Sequence, residues 1–110
     1  MRYGLLLWLF FCLPAFAQDF LPGTEDIPLM EGLSNVEETA SFDNPAERMV
    51  LVSAETKKTI ESVFQFYSQS LTNLGWQEVS PHTFKRGNDS FFIEAGEKNQ
   101  VQFRLSQSNL

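Results

Sequence analysis

Between Ile60 and Trp76 the chain alternates apolar and polar residues with the period of a helix. Ile60, Val63, Phe64, Tyr67, Leu71 and Leu74 are spaced 3, 1, 3, 4 and 3 residues apart. At about 100° per residue these six fall on one stripe, so the spacing predicts an amphipathic helix. Thr56 or Thr59 can supply the oxygen that caps its first amide groups. Gly75 can take the left-handed conformation that closes a helix, which would make Trp76 and Leu71 the pair that meets in a Schellman ending. Trp76 thus has a structural task, covering the helix end and starting the next element.

On either side of this helix the period is two. Val36 to Phe42 and Arg48 to Ala54 read as a hairpin, joined by "FDNPAER", in which Pro45 fixes φ and Asp43 or Asn44 can bond the local backbone. Met49, Val50, Leu51 and Val52 run without a polar break, the signature of a central strand or one covered on both sides. After Trp76, Val79 and Phe84 flank an interruption at Pro81. "KRGNDS" then turns the chain into "FFIEA", and "GEKN" turns it into "QVQFRLS". Val101, Phe103 and Leu105 alternate there with Gln100, Gln102 and Arg104, as in a strand with one wet face. Connections this short imply antiparallel pairing. The expected fold is therefore α+β: one amphipathic helix packed on a four- to five-stranded antiparallel sheet, in (β)βαβββ order, over residues 36–110. The helix face of Phe64, Tyr67 and Leu71 should meet a sheet face of Phe91, Ile93, Val101 and Phe103.

The N-terminal third is different. Arg2, the apolar run from Gly4 to Leu13, Pro14 and the Ala15-Phe16-Ala17 triplet together read as a signal peptide over 1–17, cleaved after Ala17. Phe11 before Cys12 argues against a lipoprotein signal. Cleavage would leave 93 residues from Gln18, without cysteine, in the periplasm or secreted. That form carries seven basic and fourteen acidic residues, a net charge of −7, which disfavours nucleic acid and anionic lipid as partners. No stable membrane insertion is expected of it, since the apolar run is too short to span a bilayer and leaves with the signal. Eight of the acidic residues and no basic one lie between Gln18 and Glu47. With Pro22, Gly23, Pro28 and Gly32 breaking any long element, residues 18–35 read as an acidic, partly extended leader. Gln18 to Pro28 is expected to be a solvated tail, and Ile27, Leu29, Met30 and Leu33 could lie along the domain surface.

Chemistry is sparse. With His82 as the single histidine and no cysteine after Cys12, a His/Cys zinc site cannot be assembled within one chain. The leader lacks the spacing of a calcium loop. No G-x-S-x-G elbow surrounds a serine, and His82 reads as an exposed loop residue. No glycine-rich phosphate loop precedes a helix. No catalytic residue, metal or cofactor is expected. Lys57 and Lys58 sit at the expected helix start, where free amide groups already favour an anion, and Lys85 and Arg86 could join them as an anion or partner contact. Phe66 and Phe92 point away from their elements' apolar faces. They are either an exposed contact surface or ground covered by the leader.

The segment "VFQFYSQSLTNLGW", followed by "FKR", "FFIEA" and "VQFRL", resembles small exported proteobacterial proteins of uncharacterised function that share a V-x-x-F-Y-x-x-x-L-x-x-L-G-W helix before three strands. "DIPLMEGL" and "FDNPAERMV" are similar to segments of the same group. The resemblance implies an α+β domain outside the cytoplasm and supplies no catalytic residue. The first expectation is an exported, non-enzymatic module that binds an envelope protein or other envelope component. The alternative is a small-ligand carrier with a pocket between helix and sheet, and an enzyme ranks last.

Overall fold

In a computed structural model, which describes residues 19–108, the chain folds as one helix on a six-stranded sheet. The strands are β1 (Leu33–Asp43), β2 (Glu47–Thr56), β3 (Gln77–Ser80), β4 (Thr83–Arg86), β5 (Asp89–Ala95) and β6 (Gln100–Ser108), with α1 (Ile60–Asn73) between β2 and β3. All neighbours pair antiparallel, in the order β1-β2-β6-β5-β4-β3. The expected signal peptide lies outside the described residues, as does Cys12. No helix among the described residues is long and apolar enough to cross a membrane.

The α+β class holds, and the strand count is corrected from four or five to six. The expected single interrupted strand around Pro81 is two strands in a tight hairpin, with Ser80 opposite Thr83. His82, at the tip, has φ of 62°, a left-handed value that lets two residues reverse the chain. The first hairpin forms as expected, and Asn44 is its turn residue: its Oδ1 accepts from the amides of Ala46 and Glu47. β2 is interior to the sheet, between β1 and β6.

Cross-strand rows build the inner face. Val50 faces Leu105, which faces Phe91, which faces Phe84. Val52, Phe103 and Ile93 form the next row. All seven are buried. Against them α1 sets Val63, Tyr67 and Leu71, each without exposed surface. The Tyr67 ring centroid lies 5.3 Å from that of Phe103 and 6.2 Å from that of Phe91. The buried stripe is narrower than the sequence spacing suggests. Ile60 and Phe64 are only partly buried, and Leu74 is 40% exposed because the helix has already ended there. Phe64 instead stacks on the His82 ring at 3.5 Å, so His82 is half-buried rather than free in a loop.

Both ends of α1 follow the sequence. Thr59 Oγ1 accepts from the Ser62 amide. At the other end the Trp76 amide donates to the Leu71 carbonyl (2.9 Å) and the Gly75 amide to that of Thr72 (3.2 Å), with φ of 95° at Gly75. These are the two hydrogen bonds of a Schellman ending. They turn Trp76 inward, where it is 2% exposed.

Candidate functional site

The leader is part of the core. Leu21 and Ile27 are each 1% exposed and Met30 is 7% exposed, which overturns the expectation of a solvated tail up to Pro28. The segment satisfies its own backbone in a miniature hairpin. Phe20 bridges Pro28, the Leu21 amide donates to the Ile27 carbonyl, and the Leu29 amide donates to that of Asp19. Gly23 has φ of 79°, and a Cβ there would come within 2.8 Å of Val50 and 2.9 Å of the Glu38 carboxylate. No larger residue could sit this close to the sheet without displacing one of them.

From this turn the leader runs beside α1. Near the helix's C-terminal end, Arg86 of β4 holds Asp26 through its two terminal guanidinium nitrogens, at 3.0 and 3.4 Å. At mid-helix the Tyr67 hydroxyl donates to the Pro28 carbonyl (2.8 Å) and accepts from the Met30 amide (3.2 Å). Burial pushes the Tyr67 phenol well above its ordinary pKa, and the Met30 hydrogen bond offsets part of that. Near the helix start the Lys57 amide donates to the Gly32 carbonyl. Arg48 adds hydrogen bonds to the Gly23 carbonyl and to Gln107. The leader and α1 thus form one layer over the inner face, and the leader closes the side the helix leaves open.

A cavity of about 310 Å³ lies in this seam, between Asp26 and Ile27 of the leader and Trp76, Arg86, Leu105 and Gln107 of the body. The Arg86 guanidinium lies over the Trp76 ring, 4.5 Å from its centroid, and also donates to the Leu74 carbonyl at 3.0 Å. Trp76 Nε1 is buried without a hydrogen-bond partner. A buried N–H left without an acceptor costs on the order of 1–3 kcal/mol.

The structure separates the four basic residues. Lys57 and Lys58 precede the N-cap of α1, whereas Arg86 bonds the carbonyl at its C-cap, a helix length of about 20 Å away. Lys58 lies along Gly32, and Lys85 is exposed on β4. Only Arg86 belongs to the seam. The two off-face aromatics also part company. Phe66 sets its edge on Tyr67 at 4.9 Å and joins the rim of the core. Phe92 lies on the outer sheet face beneath Arg104 (5.4 Å), in a depression of about 240 Å³ with Thr39, Leu51 and Gln102. Sequence reading missed Asp26, Leu21 and Trp76 as site residues. One signal pointed to the leader: a tyrosine on the buried stripe of a helix needs a hydroxyl partner from outside that helix. Among the described residues no group of three His, Cys, Asp or Glu could hold a metal ion.

The chain belongs to the START domain-like family, whose pattern matches residues 35–109. No curated protein and no solved structure matches it. The matched span begins after the segment that closes the seam, so every leader residue described above lies outside it.

Proposed function

We propose that this START domain-like chain is a non-enzymatic binding module that takes a small amphipathic molecule in the seam between its leader and its body. START-like domains are in general binding modules, which favours this reading over catalysis. The observation that carries it is the seam cavity itself: about 310 Å³, with Ile27 and Leu105 on one wall and a forked cation lying on the Trp76 ring. That volume is at the small end of ligand pockets.

The geometry argues for the seam and against a deeper pocket under Phe64 and Tyr67. That interior is filled by side chains with no exposed surface, and Tyr67 has both its hydrogen bonds made within the chain. Magnitudes point the same way. Expelling Leu21, Ile27 and Met30 from the core would forfeit about 1.5–3 kcal/mol each. Parting Asp26 from Arg86 would cost about 0.2–1 kcal/mol, since those side chains are 45% and 32% exposed. A ligand therefore enters by displacing the Asp26 side chain while Leu21 and Ile27 stay anchored.

Export through an N-terminal signal fits a module that works in the envelope. A second reading, docking of an envelope protein, has the outer-face depression around Phe92 and Leu51 in its favour. The two separate in a titration of the whole chain with octanol, followed by Trp76 fluorescence. The Trp76→Phe variant keeps Trp8 and so supplies the background to be subtracted. Saturable change in the Trp76 signal supports the seam, and a flat signal overturns it.

A further inference from the structure

We propose that Asp26 is a built-in stand-in for a ligand's carboxylate, and that the seam takes an amphipathic monocarboxylate which exchanges with Asp26 on Arg86. The inference rests on the seam being the binding site and adds the chemical class of the ligand. Arg86 presents its fork to both oxygens of one carboxylate, the geometry a guanidinium uses for such groups. Two further contacts hold that fork in place independently of Asp26: the Leu74 carbonyl bonds Nη1, and the Trp76 ring lies against the guanidinium face. Arg86 therefore stays aimed at the cavity when the Asp26 side chain leaves it.

The part of the turn that can yield is the Asp26 side chain, which is 45% exposed, while Leu21 and Ile27 on either side stay buried. Charge decides between exchange and simple addition. Glu25 and Asp26 both line the cavity, so a second anion beside an intact Asp26–Arg86 pair would meet two carboxylates and one cation. An entering carboxylate that replaces Asp26 meets one of each. Its apolar part then lies against Ile27 and Leu105. A small inorganic anion offers no such part.

The test is a calorimetric titration of the whole chain with octanoate, octanol and octylamine. Octanoate should bind most tightly. Asp26→Asn should tighten octanoate about two- to five-fold, the factor that corresponds to loss of a half-exposed ion pair, and leave octanol unchanged. Arg86→Gln should bring octanoate down to the affinity of octanol. Arg86→Lys, which keeps the charge without the fork, should fall between, and it serves if the glutamine variant does not fold. Octylamine binding best, or octanoate indifferent to Asp26→Asn, would overturn the proposal while leaving the seam as the binding site. If none of the three probes binds, the seam reading falls with it.

Discussion

Replacing Tyr67 with phenylalanine would delete one oxygen and strand two backbone groups. The ring would keep its place between Phe91 and Phe103, but the Pro28 carbonyl would lose its donor and the Met30 amide its acceptor. Both residues are buried, so water does not readily take the hydroxyl's place. Each unsatisfied group costs about 1–3 kcal/mol, and with some relaxation the sum is about 2–4 kcal/mol. In a domain of this size each kcal/mol lowers the melting temperature by about 4–8 °C, so Tyr67→Phe should lower it by at least about 8 °C. The loss should also be local. The leader is attached to the body by a few side chains, the Lys57 amide and this hydroxyl, so weakening it should let residues 19–32 open before the sheet does. Hydrogen exchange read residue by residue separates the two effects: the Met30 amide should lose protection while amides of β5 and β6 keep theirs. A melting temperature within about 2 °C of the parent's, with Met30 still protected, would mean that Tyr67 does not hold the leader.

The same phenol predicts an alkaline limit. Its folded pKa is raised, so its contribution to stability is complete below the unfolded value of about 10 and is lost as pH rises above it, by about 1.4 kcal/mol per pH unit. Denaturant melts across that range should show the slope in the parent and its absence in Tyr67→Phe. Leu71→Ala removes a side chain with no exposed surface and should cost about 2–5 kcal/mol in the same melts. At Gly75 an alanine Cβ would make only ordinary contact, 3.6 Å from Arg86 Cδ, so Gly75→Ala should cost the backbone penalty alone, about 1–2 kcal/mol.

Elements whose signal is periodic or local were legible in the sequence. The α1 stripe, its Schellman ending at Gly75 and Trp76, the Asn44 turn and the alternation of β6 all rest on residues that interact with near neighbours. The β3–β4 hairpin was not legible, because its turn depends on a left-handed histidine, a conformation that favours glycine or asparagine and that nothing around Pro81 announces. The leader was hidden for a related reason. Leu21 and Ile27 are buried as single residues on either side of a turn, so they leave no period, and the prolines and glycines that shape the turn read as signs of a tail. Of the site, Arg86 was visible as a charge. Its partner was not, because Asp26 is 60 residues away along the chain and one of many carboxylates in an acidic stretch. Grouping Arg86 with Lys57 and Lys58 failed because a helix of 14 residues keeps its two ends apart.

The account turns on the seam beside Trp76, and the indole Nε1–H resonance of that residue reports on it directly. In a two-dimensional NMR titration of the isotopically labelled chain with octanoate, this resonance should shift and saturate as the Arg86 guanidinium stacked on the ring exchanges its carboxylate, together with the amides of Asp26 and Ile27. Shifts confined to Leu51, Phe92 and Arg104 on the outer sheet face, or an indole signal that does not move, would contradict it.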